Sequence, residues 1–202
     1  MRIIDISRGM FRASVYPGDP APERKLLSSI EAGACCNLTA ISISAHTATH
    51  IDAPSHFIRG GKTISDISLA ATVGPAAVVE HSGVIDGGGA ERLLSRTLAC
   101  GEEAAKRLLI KGEIEITTEA AEVFAERLLL IGVESQSVGP IGAPMAVHLA
   151  LLAKEVVLLE GLTLAEAREG AYLLSAAPIH IEGADGAPCR ALLIEPSSEN
   201  NN

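Results

Sequence analysis

The sequence predicts one mixed α/β domain, with a central twisted β-sheet or partial barrel and helices outside it. Three observations carry this expectation. Short apolar or alternating runs of strand length recur along the 202 residues. Two apolar stripes at helical spacing fall between them. No break in composition divides the chain, so a single domain over residues 1–196 is expected, followed by a polar, disordered tail at 197–202.

Residues 2–7 alternate as a first strand. Tyr16-Pro17-Gly18-Asp19-Pro20 is turn chemistry, because Pro fixes φ and Gly allows the reversal. Over 35–45, Ile41 and Ile43 share one face with serines opposite, a strand pattern that runs into a histidine-rich stretch. Arg59 to Asp66 carries a Gly pair and reads as a loop, but lacks the Gly-x-x-x-x-Gly-Lys spacing of a phosphate-binding loop. A buried strand is expected over 75–80, with a structural His81 at its end. Gly87-Gly88-Gly89 reads as a flexible turn, and 107–111 as a short strand.

Thr118 is placed to cap a helix over 119–128, with Glu119 and Glu122 near its positive end. Its stripe of Ala121, Phe124, Ala125 and Leu128 reads as core. Leu128–Val133 is a fully apolar strand. Glu134 and Ser135 follow it, at the strand end where open α/β sheets keep their chemistry. A helix over 144–153 starts at Pro144 and contains His148. A strand over 154–160 ends in Glu160. Strand patterns continue through 171–182, where His180 reads as structural. A tight hairpin around Gly183-Ala184-Asp185-Gly186 and a closing strand, Arg190–Ile194, complete the chain.

Composition bounds the function. Hydrophobic residues make up 48% and aromatics only 2%, so the core must be aliphatic. The net charge of −9 argues against a nucleic-acid partner, which needs a basic face. The most apolar region, around 145–165, is interrupted by Lys154, Glu155 and Glu160, and the first residues contain no apolar run suited to a signal peptide. A cytoplasmic protein with no membrane partner is expected. Four cysteines without Cys-x-x-Cys spacing read as small buried residues in a reducing compartment. A mean hydropathy of +0.30 points to a buried subunit interface, hence a homodimer or higher homo-oligomer.

Residues 46–56 concentrate the chemistry. His46, His50 and His56, three of the six histidines, lie within eleven residues together with Asp52. Imidazole nitrogen and carboxylate oxygen are donors for borderline divalent metals. A straight strand would hold His46 and His50 about 13 Å apart, whereas ligands of one ion lie within roughly 4 Å of each other. The chain must therefore bend between them, as one helical turn or as a kinked loop. Pro54 stops any helix from continuing. No Glu follows His46, so this is not the zinc-protease helix, and no Cys lies nearby for a structural finger.

The run His46-Thr-Ala-Thr-His50-Ile-Asp52-Ala-Pro-Ser-His56-Phe57 resembles the His-x-Gly-Thr-His-x-Asp-x-Pro-x-His-Phe signature of the cyclase-like metal-dependent hydrolases. That family includes kynurenine formamidases (arylformamidases) and isatin hydrolases. Tyr16 to Pro20 resembles the family's Trp-Pro-Gly-Asp-Pro loop at the site mouth, with Tyr16 in place of Trp. The pattern from Pro178 to Arg190 resembles the family's C-terminus. Two departures stand out: Ala48 replaces a Gly, and Gly139 replaces an Asp in the run Ser137-Val138-Gly139-Pro140.

The resemblance implies a swivelling β/β/α-type fold and a metal site completed by His148 and Glu160. It assigns His46, His50 and Asp52 to a first ion and Asp52, His148 and Glu160 to a second, so one or two Zn2+ ions are expected, with Mn2+ as the alternative. Metal-activated hydroxide would then cleave an amide C–N bond. His56 would be general base and then acid to the leaving amine. Tyr16 and Phe57 would bind a small-molecule substrate, N-formylkynurenine in tryptophan catabolism, giving formate and kynurenine. Two other readings stay open: hydrolysis of a cyclic amide or lactone, and metal binding without turnover.

Overall fold

The computed structural model describes residues 1–195; the tail expected at 197–202 lies outside them. The strands are β1 (Arg2–Asp5), β2 (Glu23–Ser28), β3 (Leu38–Ser42), β4 (His50–Asp52), β5 (Val73–Glu80), β6 (Gly83–Ile85), β7 (Arg107–Lys111), β8 (Ile114–Ile116), β9 (Leu130–Val133), β10 (Val157–Glu160), β11 (Gly170–Ser175), β12 (Gly186–Pro188) and β13 (Leu192–Glu195). The helices are α1 (Leu69–Thr72), α2 (Gly87–Leu98), α3 (Thr118–Ala125) and α4 (Met145–Leu152). Nine strands form one mixed sheet in the order β1-β13-β11-β5-β7-β9-β10-β4-β12, curled into a partial barrel. This is the mixed α/β architecture the sequence predicts.

The middle of the sheet, β5-β7-β9-β10, is parallel, and antiparallel strands flank it on both sides. Parallel strands are covered on both faces and so read as continuous apolar runs. Alternation sorts those runs between two aliphatic cores. Leu108, Ile110, Ile131, Val133 and Leu158 face α2, α3 and α4, where Leu93, Phe124 and Leu151 meet them. Leu109, Leu130, Val157 and Leu159 face the opposite core with Ile6, Ile51, Leu174 and Leu193.

Several expectations give way. The three glycines at 87–89 open α2 rather than forming a turn. The Asp86 side chain accepts a hydrogen bond from Gly89 N–H at 2.6 Å, and Ala90, Leu93, Leu94 and Thr97 supply a buried stripe at i, i+3, i+4 and i+7. The cap of α3 is Thr117, not Thr118; its hydroxyl accepts from Ala120 N–H at 3.2 Å.

The strand read over 35–45 is β3, which pairs with β2 in a separate two-stranded sheet outside the main one. Its Ile41 and the neighbouring Leu26, Leu27 and Leu38 are exposed within the chain. Cys35 and Cys36, expected to be buried, are also exposed there. The strand pattern at 171–182 holds only through Ser175, and His180 is exposed. No tight hairpin forms at 183–186: β12 pairs with β4, and β13 with β1 and β11. No helix among the described residues is long and apolar enough to cross a membrane.

Candidate metal and active site

Strand β4 is the platform. It lies between β10 and β12, with Glu160 directly opposite His50 on one side and Gly186 opposite Asp52 on the other. His50 and Asp52, two residues apart, share a face. Glu160 ends β10, and α4, which connects β9 to β10, brings in His148. These four side chains are each at most 3% exposed.

The bend between His46 and His50 is a kinked loop, not a helical turn. Ala48 takes the left-handed conformation, φ 60°. That conformation strains a residue with a Cβ, which explains why glycine suits the position. The loop is tied down by Thr49, whose hydroxyl donates to the Gly161 carbonyl at 2.6 Å and accepts from Arg8 N–H at 2.8 Å. Gly161 is also left-handed, and a Cβ there would lie 2.3 Å from the Ala48 carbonyl oxygen. Position 139 has no room for the Asp that the resemblance leads one to expect: a Cβ would lie 2.7 Å from Pro144 Cα and carbonyl oxygen. Glycine there lets the 137–140 segment close against the start of α4. In the same segment, Val138 N–H donates to Glu160 Oε1 at 2.7 Å.

The donor atoms converge. His50 Nε2 lies 3.2 Å from Asp52 Oδ1 and 3.4 Å from Glu160 Oε2. His148 Nε2 lies 3.4 Å from Asp52 Oδ2 and 3.3 Å from Glu160 Oε1. Both Nδ1 atoms are already committed, since His50 donates to the Ala48 carbonyl at 3.0 Å and His148 to the Pro144 carbonyl at 2.9 Å. In a neutral ring this leaves Nε2 with its lone pair facing carboxylates. Two ionised carboxylates with two neutral imidazoles carry a net charge of −2 in a buried shell. Such a shell is costly unless a cation, or protons on the rings, compensates. Asp52 Oδ2 has no hydrogen-bond partner although it is buried. A divalent ion fits both the charge and the orphaned oxygen, and the outward hydrogen bonds from Nδ1 are those that orient metal-ligating histidines.

The electrostatics agree. Burial pushes the His148 pKa down, but the Asp52 and Glu160 carboxylates outweigh it and raise it to about 10. His50 is likewise raised well above its usual range by the same carboxylates, against the effect of burial. Burial pushes Asp52 up, yet His148, His46 and His50 hold it well below the usual carboxylate range. The pocket demands positive charge.

His46 and His56 stand to one side, their rings stacked with centroids 3.9 Å apart. His46 Nδ1 is 2.8 Å from Asp52 Oδ1. Two groups of possible donors result, His50-Asp52-Glu160 and His46-Asp52-His56, with Asp52 common to both. Asp52 Oδ1 meets both His46 and His50, while its Oδ2 meets His148, whose Nε2 also faces Glu160 Oε1.

Phe57 lies edge-on to His56 and tilted against His148, with centroids 4.5 and 4.4 Å away. It lines a cavity of about 240 Å³ together with Tyr16, His46, His50, His56 and His148. Glu134 has a structural task instead: its carboxylate accepts from Leu164 N–H at 2.7 Å and from Gly112 N–H at 2.8 Å.

One residue of the site escapes the sequence reading. Asp185 Oδ2 lies 3.0 Å from His46 Nε2 and 3.0 Å from His56 Nδ1. Its signals in the sequence are the Gly-Ala-Asp-Gly run, equally well explained as a turn, and the resemblance of Pro178 to Arg190 to the family's C-terminus, neither of which assigns it a role.

A family profile described as "Putative cyclase" matches residues 4–140. A kynurenine formamidase of Salinibacter ruber is 35% identical, over 96% of this chain and 97% of its own. A solved structure described as a potential metal-dependent hydrolase with cyclase activity is 25% identical, with TM-score 0.80, covering 96% of this chain and 99% of that one. Isatin hydrolase A from Ralstonia solanacearum shares the fold, with TM-score 0.80 at 22% identity over 96% of this chain and 92% of its own. This chain belongs to the cyclase family.

Proposed function

We propose that the protein is a divalent-metal-dependent hydrolase of small amides, acting on an aryl formamide of the N-formylkynurenine type. One observation carries the reading: two imidazole Nε2 atoms, each fixed through its Nδ1, meet two carboxylates in a fully buried shell. Near-full-length similarity to a kynurenine formamidase supports the choice of substrate. His46, His50, Asp52, His148 and Glu160 would hold one or two ions. The sulfur-free donor set suits zinc first and manganese as the alternative. Asp52 approaches His46 and His50 with Oδ1 and His148 with Oδ2, and so would be a ligand common to both sets of histidines. When bound, the metal supplies a charge that acidifies water toward neutral pH and polarises the carbonyl.

The remaining chemistry belongs to the chain. His56, on the cavity wall, accepts a proton from the attacking water as the water oxygen adds to the formyl carbon. It returns that proton to the amine nitrogen as the C–N bond breaks. N-formylkynurenine thereby yields formate and kynurenine. Phe57 and Tyr16 provide aromatic walls for the aryl ring. Tyr16 is held at the mouth, where its hydroxyl accepts from Gly142 N–H at 3.3 Å.

The test is turnover by zinc- and manganese-loaded protein, with isatin as the comparison substrate. Loaded wild type should hydrolyse N-formylkynurenine. His56→Ala should retain its metal while kcat falls by about 10²- to 10⁴-fold. Loaded wild type that turns over neither compound, or a His56→Ala variant of undiminished kcat, would overturn the proposal.

A further inference from the structure

We infer that Asp185 is a positioning residue that sets the proton-shuttling tautomer of His56 and orients His46 toward the metal with the same carboxylate oxygen. The inference rests on the hydrolase reading above, in taking His56 as the proton shuttle and His46 as a metal ligand. Oδ2 of Asp185 lies 3.0 Å from His56 Nδ1 and 3.0 Å from His46 Nε2, and the two rings are stacked so that both edges reach it.

A carboxylate only accepts, so each of those nitrogens carries a proton and donates. His56 is then left with Nε2 free to take the proton of the attacking water. By the same rule His46 Nδ1 donates to Asp52 Oδ1 at 2.8 Å in metal-free protein, and a bound ion would take the place of that proton while Nε2–H stays on Asp185. A carboxylate behind a metal-ligating histidine is the arrangement that fixes its tautomer and raises its basicity.

The backbone is built to hold Asp185 there. Its carbonyl accepts from Ala53 N–H at 2.9 Å, registering it against the end of β4, and the neighbouring Ala184 carbonyl accepts from Ile64 N–H at 2.8 Å. The next residue must be glycine, since a Cβ on Gly186 would lie 2.7 Å from His46 Cε1 and 2.8 Å from the Ile51 carbonyl oxygen. A plain stability role explains less. The Asp185 side chain is nearly half exposed, and exposed ion pairs contribute little.

Two readouts test this in the zinc-loaded protein. The first is the ¹⁵N NMR signature of the His56 ring in histidine-labelled wild type, Asp185→Asn and Asp185→Ala. Wild type should show the Nδ1–H tautomer, and both variants should lose that bias. The second is steady-state kinetics on N-formylkynurenine. Asp185→Asn should lower kcat about 10- to 100-fold with KM little changed, and Asp185→Glu should recover part of the loss. A His56 tautomer indifferent to the substitution overturns the inference, and so does a wild-type kcat in Asp185→Asn. If wild type hydrolyses nothing in the panel, the hydrolase reading fails, while the tautomer shift still decides the role of Asp185.

Discussion

At the scale of single residues, the site is a problem of charge. His50, Asp52, His148 and Glu160 are buried together, and the pKa shifts of His50, Asp52 and His148 show which charge the pocket lacks. In metal-free protein, protons on the histidines take the place of the ion. His148 is raised from 6.5 to about 10, so its stabilising contribution is complete below pH 6.5 and is lost as pH rises through about 10. Asp52 is depressed, so its contribution is present above its unfolded value of 3.8 and lost as pH falls through the lower folded value. Metal-free protein should therefore have a lower urea midpoint at pH 9.5 than at pH 6. Zinc-loaded protein should lack that alkaline loss, because metal replaces the proton on Nε2. A metal-free midpoint equal at the two pH values would contradict this. The residue scale is also where the sequence was most legible. His46 to His56 is a local cluster whose residue types point to a candidate cation site, whereas the partners of Asp185 lie 139 and 129 residues away in the chain.

At the scale of elements, the site depends on how one loop crosses one strand end. The 46–49 loop turns through a left-handed Ala48 and lies across Gly161 at the end of β10, with Thr49 closing the contact. Gly161→Ala should destabilise the protein by more than about 1 kcal/mol, because its Cβ meets a backbone carbonyl at 2.3 Å in a conformation that already disfavours side chains. Ala48→Gly should instead stabilise it, by about 1 kcal/mol. Urea denaturation measures both, and a Gly161→Ala midpoint at the wild-type value would refute the crossing geometry as a constraint. Three elements show where sequence pattern falls short, each for its own physical reason. In α2, a side-chain cap and a buried stripe outweigh three glycines of poor helix propensity. In β3, a good alternating pattern forms a strand, but period alone does not say which sheet the strand joins. The hairpin expected around Gly183 fails because β12 finds its partner in β4, far away in sequence.

At the scale of the whole molecule, the parallel centre of the sheet fixes the site. Strands β9 and β10 run side by side with α4 between them in the chain, so one connection delivers both His148 and Glu160, and β4 pairs antiparallel against β10 to add His50 and Asp52. Two aliphatic cores, one on each face of the sheet, hold that arrangement. The apolar strand runs were legible because parallel strands are buried on both faces. The joining of 46–56 to 148 and 160 was not written in any local pattern, and only the resemblance to a family supplied it.

The most direct test of that convergence is anomalous diffraction from crystals of zinc-loaded protein. An anomalous peak should lie within bonding distance of His50 Nε2 or His148 Nε2 and of the Asp52 and Glu160 carboxylates. Loaded crystals with no peak there, or with the ion held elsewhere on the chain, would contradict it.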